Sequence, residues 1–499
     1  VQLISAALWS TYRIFVAYFL SLAFGIFYGV SASSGPRREK IMIAILDILQ
    51  SVPILGFFPV AIAFFVAVFR GQRIGLELAA IFLIFTSQAW NIAFGVYETV
   101  KTLPRELVEV GKAFNFSKTF TIQRIYLPAM VPTIVFNSGV SMANGWYFLM
   151  ASEIITLGSQ EVRLPGLGSS MMNYLAQGNI LGVVMCIGTI VLINALLQVL
   201  IFRPLVKWSE LFQYNAVGTA PEWPAVADVL FDFGKALKVD TVLVKLVSQG
   251  TKKLSAVAKY VFYAIGAALV GGLGYLVIWL FSPPYPSNIL SQIPAALTVT
   301  TMRVVAAVVI AVLLALPFVI RSVKNVAAAQ NIYSLASILG SIPAVVFYPP
   351  IVALGGRAYM EPLSILLLLT GSFWYALFNM SKGAMLLPGV LTEMAQVFNI
   401  KGGLYYKNIL IPAILPPLIT GALTAWGGAW NASIVAEHVQ FGDKVYSIPG
   451  IGALLVQSTA DTKALLLIVL SMTALIVLVN MLFWRPWYSK AAEKYNITE

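Results

Sequence analysis

Long apolar runs alternate with short polar segments along the chain, and the runs define its elements. Stretches such as IFVAYFLSLAFGIFYGV (14–30) and ALLLIVLSMTALIVLVNMLFW (464–484) reach the roughly 20 residues a helix needs to cross a hydrocarbon core. Lipid offers the backbone no partner, so runs of this kind are read as helices. The pattern predicts spans over 12–30, 42–69, 75–98, 129–156 and 179–202 in the first half. The second half gives 259–281, 297–320, 332–354, 362–381, 412–438 and 464–485. The expected fold is an all-α polytopic membrane protein with eleven spans.

The polar segments carry the stronger signal, because one of them occurs twice. LPRELVEVGKAFNFSKTFTIQRIYLPA from 103 returns as LPGVLTEMAQVFNIKGGLYYKNILIPA from 387, an offset of 284. Leu103, Pro104, Leu107, Glu109, Phe114, Asn115, Ile125, Pro128, Ala129 and Pro132 meet the same residue types at Leu387, Pro388, Leu391, Glu393, Phe398, Asn399, Ile409, Pro412, Ala413 and Pro416. Trp146 and Glu153 meet Trp430 and Glu437, and PGLG (165–168) meets PGIG (449–452). SVPILGFFPV (51–60) answers SIPAVVFYPP (341–350), and FRP (202–204) answers WRP (484–486). Self-similarity on this scale marks a tandem duplication. An even number of spans, six, separates the two polar stretches, so the halves are parallel rather than inverted. The domains expected are 1–204, a first repeat; 205–258, a linker; and 259–499, a second repeat. Span 259–281 has no counterpart in the first half, and the chain starts at Val1; a further span ahead of Val1 is expected, which would make twelve.

Composition agrees with the membrane class: 59% of the 499 residues are apolar and 10% are charged, with a mean hydropathy of +0.86, against roughly 25% charged in soluble domains. The net charge of +12 is explained by its placement. The segments 31–41, 99–127, 203–259, 321–331, 382–411 and 485–499 share one side and hold 24 Lys and Arg, against six in the opposite loops. Basic loops stay cytoplasmic, which puts both polar stretches, the linker and the C-terminus there and removes nucleic acid as a partner. One cysteine, Cys186, and one histidine, His438, leave no N/S metal cluster. The linker carries GTAPEWP and a basic, apolar-spaced segment, read as a tether with one interfacial helix.

Each polar stretch opens on Leu-Pro, runs to a Glu, reaches an Asn and closes on Leu-Pro or Ile-Pro ahead of the next span. Pro suits a helix start, and Asn tolerates the left-handed conformation that reverses a helix. Two short helices joined at Asn115 and at Asn399 are therefore predicted, with Phe114 and Phe398 as the apolar anchor of each projection. The Glu, the turn residue six later and the Pro nineteen later resemble the EAA loop of permease subunits in type I binding-protein-dependent ABC importers. Val110-Gly111 and Met394-Ala395 stand where that loop has two Ala, and Asn115 and Asn399 where it has Gly. Outside the linker nearly the whole chain resembles nitrate/taurine/sulfonate-type permeases, here two fused in one polypeptide. The resemblance implies the type I permease fold in an inner (plasma) membrane of a prokaryote. It implies coupling of two ABC ATPase subunits through Glu109, Phe114, Asn115, Glu393, Phe398 and Asn399, and an external binding protein that delivers a small anionic solute. It also implies that ATP and Mg are handled by the partner subunits, with no cofactor in this chain and no enzymatic activity of its own. The chain contains no GxxxxGK[ST], so it lacks a phosphate-cradling loop of that kind.

Charge inside a span is costly, which makes Asp47, Glu153, Glu437 and the edge residues Arg13, Arg303 and Glu77 functional candidates. Trp146 with Glu153, and Trp430 with Glu437, share a helix face and are candidates for a pathway or gate, with a hydrated interfacial position as the alternative. Pro53, Pro59, Pro343, Pro349 and Pro350 interrupt spans and free backbone groups that a protein-lined cavity would satisfy; their paired occurrence in both halves favours that reading, and Pro53 and Pro343 are the candidates taken from it. His438 beside Glu437 is either a pH-sensitive contact or an ordinary interfacial residue. The small residues Ala425, Gly427, Gly428 and Ala429 read as close helix packing. A secondary transporter with parallel repeats is the competing function, and a membrane-embedded enzyme is a third, without HExxH or a nucleophile elbow to support it.

Overall fold

A computed structural model describes residues 2–157, 160–212, 280, 282–283, 286–324, 326–340, 342, 360–385, 395, 397–400, 402–441, 444–459 and 461–495. In the first repeat α1 is Gln2–Ala32, α2 Pro36–Ser51, α3 Ile54–Val68, α4 Arg73–Lys101, α5 Arg105–Ala113, α6 Lys118–Thr121, α7 Leu127–Glu153, α8 Leu167–Ala176, α9 Ile180–Leu197 and α10 Arg203–Ser209. The second supplies α11 Ser287–Leu290, α12 Ile293–Lys324, α13 Val326–Gly340, α14 Met360–Met385, α15 Gly403–Tyr405, α16 Ile411–Glu437, α17 Ile451–Gln457, α18 Thr462–Val479 and α19 Arg485–Tyr495. Among the described residues seven helices are long and apolar enough to cross a membrane, or nine if two bent pairs each count as one span. The fold is an all-α polytopic one in two repeats. Span 259–281 and most of 332–354 lie outside the described residues, as do Pro343, Pro349 and Pro350.

Three differences from the sequence reading have clear physical causes. The run 42–69 is not one continuous helix: α2 and α3 meet at 90°, because Val52 is held extended by the proline that follows it and Pro53 caps α3. Pro59, by contrast, sits inside α3 without ending it. The apolar residues past 153 and 437 do not prolong their helices; they open two antiparallel hairpins, β1 (Ile154–Leu157) with β2 (Gln160–Arg163) and β3 (His438–Phe441) with β4 (Lys444–Ser447). Finally, Pro128 and Pro412 stand at the start of α7 and α16 as expected, but no loop precedes those helices. In both copies a π turn, Ile122–Tyr126 or Tyr406–Leu410, leads into the span, and in the second copy the chain bends by 69° there.

The π turns follow a rule. Among the described residues four occur, at Ile122–Tyr126, Gln198–Phe202, Tyr406–Leu410 and Asn480–Trp484, and each is followed by one residue and then a proline: Pro128, Pro204, Pro412 and Pro486. Proline donates no hydrogen bond, and its ring collides with the carbonyl four residues back. Widening the turn by one residue relieves both problems, and the amide of Leu127 bonds Ile122 O while that of Arg203 bonds Gln198 O.

The helices of each repeat pack through small residues. Cβ atoms added at Gly25 and Gly29 of α1 would lie 2.6 Å from Ile92 and Val96 of α4. In the second repeat Gly371 of α14 and Gly428 of α16 face each other so closely that a Cβ on Gly428 would meet Gly371 O at 2.1 Å. Close backbone approach of this kind is what holds helices together where lipid supplies no hydrophobic drive.

The repeats exchange contacts in a reciprocal way. α13 of the second repeat packs on α7 and α9 of the first, while α2 and α3 of the first pack on α18 of the second. The arginines of the FRP and WRP motifs both cross over: Arg203 Nε donates to Ser334 Oγ at 3.1 Å, and Arg485 pairs with Asp47. Residues 147 and 431, equivalent by the 284 offset, cross as well. Ile54 N, freed at the α3 break, donates to Asn431 Oδ1 at 2.6 Å, and the Tyr147 hydroxyl pairs with Thr370.

Candidate functional site

The repeated projection is built as a helix, a left-handed corner and a return. Leu103 is buried at its base with Ile125 and Ala129, and α5 leads outward with Glu109 exposed. The helix ends in a Schellman arrangement: Phe116 N donates to Gly111 O at 2.9 Å while Asn115 adopts a φ of 52°. The second copy repeats it, with Ile400 N donating to Ala395 O at 2.8 Å and Asn399 also at 52°. Asn is the non-glycine residue that tolerates this conformation. The corner presents Phe114 at 71% exposure and Phe398 at 68%. The two aromatic side chains are thus held at corresponding corners, on a backbone that has little freedom to retract them. The return leg differs from the expected second short helix, since α6 runs through the π turn into α7. Glu393 lies outside the described residues.

At the other end of α7 and α16 the intramembrane charges gather into two matching nodes. In the first, Arg13 donates from Nε to Glu77 at 2.7 Å, and from Nη1 to Glu153 Oε1 at 3.0 Å and to Pro165 O at 2.7 Å. Ser10 Oγ donates to Glu153 Oε1 at 2.6 Å and accepts from Leu167 N at 2.8 Å, and Gly168 N donates to Glu153 Oε2 at 2.7 Å. In the second node Arg303 takes the place of Arg13, and it donates to Glu361 at 2.7 Å, Glu437 at 2.8 Å and Pro449 O at 2.7 Å. Thr300 Oγ1 donates to Glu437 at 2.6 Å and accepts from Ile451 N at 2.9 Å, while Gly452 N donates to Glu437 at 2.8 Å.

These contacts explain the PGLG and PGIG motifs residue by residue. The proline carbonyl accepts from arginine, the first glycine lets the carboxylate approach, the Leu or Ile is buried, and the second glycine amide is the donor. A Cβ on Gly166 would lie 2.1 to 2.3 Å from the Glu153 carboxyl atoms, and one on Gly450 2.2 to 2.4 Å from those of Glu437. Each carboxylate also sits at a helix N-terminus, where unpaired amides favour negative charge. Glu361 is a member that the list of intramembrane charges misses; Glu77 at the 284 offset points to it.

The structure moves several candidates. Glu153 and Glu437 are fully buried rather than hydrated at an interface, and Trp146 and Trp430 are fully buried too, each in the apolar cluster of its own repeat. All four are enclosed by their own bundle in this conformation. Pro53 lies at the α2–α3 break beside the crossing Asn431 contact. His438 opens β3, half-buried, and burial pushes its imidazole pKa down. Asp47 is taken up by Arg485.

A multi-pass protein of two parallel repeats, each carrying a helical projection at one end and a buried charge node at the other, is a membrane-embedded transport component in design. The chain belongs to the family described as binding-protein-dependent transport system inner membrane component, which matches it twice, over residues 21–203 and 307–484. Among curated proteins it is 28% identical over 146 residues to the bicarbonate transport system permease protein CmpB of Synechocystis sp., covering 29% of this chain and 49% of that protein. It is 26% identical over 149 residues to the nitrate import permease protein NrtB of Leptolyngbya laminosa, covering 30% and 50%. It is also 26% identical over 155 residues to the taurine transport system permease protein TauC of Escherichia coli, covering 30% and 54%. The matched part of the chain thus spans about half the length of these relatives.

Proposed function

We propose that this chain is the transmembrane permease of an ATP-driven importer. Its two fused repeats enclose the route of a small anionic solute, and its two projections are the points at which ATPase subunits act. The observation that carries this reading is the exposed phenylalanine held on a left-handed Asn corner in both copies. A bare aromatic on a rigid support in a polar segment suits insertion into a pocket of another protein. The projections face the cytoplasm by the distribution of basic residues, and two ABC ATPase subunits, one per projection, bind ATP and Mg there. Closure of those subunits on ATP draws the projections together and rocks the repeats against each other, which alternates access to the route. An external binding protein delivers the solute, and the names of the relatives, with nitrate, bicarbonate and taurine, point to an anion.

The test is purification of the full chain from its native membrane and assay of whether an ATPase is retained with it. Phe114→Ala with Phe398→Ala is expected to release the ATPase or uncouple its hydrolysis, and Glu109→Ala with Glu393→Ala to weaken coupling. Full transport with no ATPase bound would overturn the reading in favour of a secondary carrier.

A further inference from the structure

The passage itself has a chemistry that duplication alone does not supply. Along α16 the side chains at 424, 427 and 431 are half-buried while residues between them are buried. They form one stripe, of Thr424, Gly427 and Asn431, and a Cβ placed on Gly427 would meet no described atom within 4 Å. Asn431 ties this stripe to α3 of the first repeat. On α14, Asn379 Nδ2 donates to Thr424 Oγ1 at 3.0 Å, and Tyr375, one turn away and half-buried, lies against Gly428. Tyr147 closes the group from the first repeat: its hydroxyl pairs with Thr370 and would lie 3.0 Å from a Cβ on Gly371. The space is bordered by both repeats, and its polar groups come mostly from the second.

The matching positions of the first repeat are different. Val140 and Ala143 stand where Thr424 and Gly427 do, at 7% and 1% exposure, and Gly95 stands for Asn379. At these three positions the second repeat is polar or open where the first is not, while Tyr375 and Asn431 have polar counterparts in Asn91 and Tyr147. None of the polar groups bordering the space carries charge at neutral pH, and the two node arginines are already engaged by carboxylates.

We propose that Tyr147, Tyr375, Asn379, Thr424 and Asn431 form the contact ring through which the solute passes, and that it selects small oxyanions through two neutral donors, the Tyr375 hydroxyl and the second amide hydrogen of Asn431. The Asn379 amide and the Thr424 hydroxyl donate to protein oxygens and hold the ring in shape, as does the first amide hydrogen of Asn431. The proposal rests on the importer reading for its direction of transport, but the ring itself does not. Neutral donors suit a conduit because binding must be weak enough for release, whereas a fixed cation would retain an anion.

The experiment uses the full chain with its ATPase in membrane vesicles, with Cys186, the single cysteine, replaced in a Cys186→Ser background. Gly427→Cys and Thr424→Cys are each treated with a sulfonate-bearing and a trimethylammonium-bearing methanethiosulfonate. Both positions are expected to react, faster with the sulfonate, while Val140→Cys and Ala143→Cys stay unmodified. Adding Tyr375→Phe to Gly427→Cys is expected to slow the sulfonate reagent about threefold to tenfold, the worth of one neutral hydrogen bond, and to leave the cationic reagent unchanged. No reaction at 424 and 427, equal reaction at 140 and 143, or equal slowing of both reagents would each overturn the ring. The expected labelling with no ATPase retained would support the ring and overturn the importer reading instead.

Discussion

Arg13 and Arg303 each spend their guanidinium on two carboxylates and a carbonyl, so the nodes are closed networks rather than ligand sites. Removing Glu153 or Glu437 leaves its arginine paired with Glu77 or Glu361 but takes the acceptor from Ser10 and Gly168 N, or from Thr300 and Gly452 N, and each buried donor left unsatisfied costs about 1–3 kcal/mol. Glu153→Ala and Glu437→Ala are therefore expected to lower the thermal midpoint of the purified protein strongly, measured as monodisperse protein surviving a heating series. Gly166→Ala and Gly450→Ala should resemble them, because the added methyl would occupy the volume of the carboxylate. If the alanine variants at 166 and 450 melt with the parent, the assignment of the two motif glycines to close approach is wrong.

The projections make a sharper test at the level of the element. Asn115 and Asn399 sit at positive φ, where glycine is at ease and a β-branched residue is strained by roughly 1–2 kcal/mol. Asn115→Gly with Asn399→Gly should keep ATP hydrolysis coupled to transport, while Asn115→Val with Asn399→Val should lose coupling with the spans intact by circular dichroism. Asn115 was legible in the sequence because a polar residue between two helical segments has one common explanation, and duplication supplied the check. The span helices were legible through their apolar runs. The π turns were not, since a proline at a helix start does not show whether a loop or another helical turn precedes it. The hairpins after Glu153 and Glu437 escaped because Ile154 and Ile155, or Val439, continue the apolar run and hydropathy alone does not distinguish a strand from a helix there. The nodes were half legible: five of their six charged members stand out as charges in or beside spans, and what joined them was the fold of PGLG and PGIG, whose amides and carbonyls leave no mark on a charge pattern.

At the scale of the whole molecule, the two repeats are held by crossing contacts that are equivalent in position and unequal in chemistry. Arg485 meets a carboxylate, Asp47, with both side chains partly exposed; Arg203 meets a hydroxyl, Ser334. An exposed ion pair contributes up to about 1 kcal/mol and is screened by salt, with a Debye length near 3 Å at 1 M. The neutral crossing lacks a second charge to screen. Arg485→Ala should therefore destabilise the protein measurably at low salt and hardly at all in 1 M salt, whereas Arg203→Ala should produce the same loss in both. Exchanging the pair, Asp47→Arg with Arg485→Asp, should recover what Arg485→Asp alone loses. A salt-independent Arg485→Ala, or a failed exchange, would mean that the ionic crossing does not hold the repeats and that other contacts, including the packing of α3 and α13, do so.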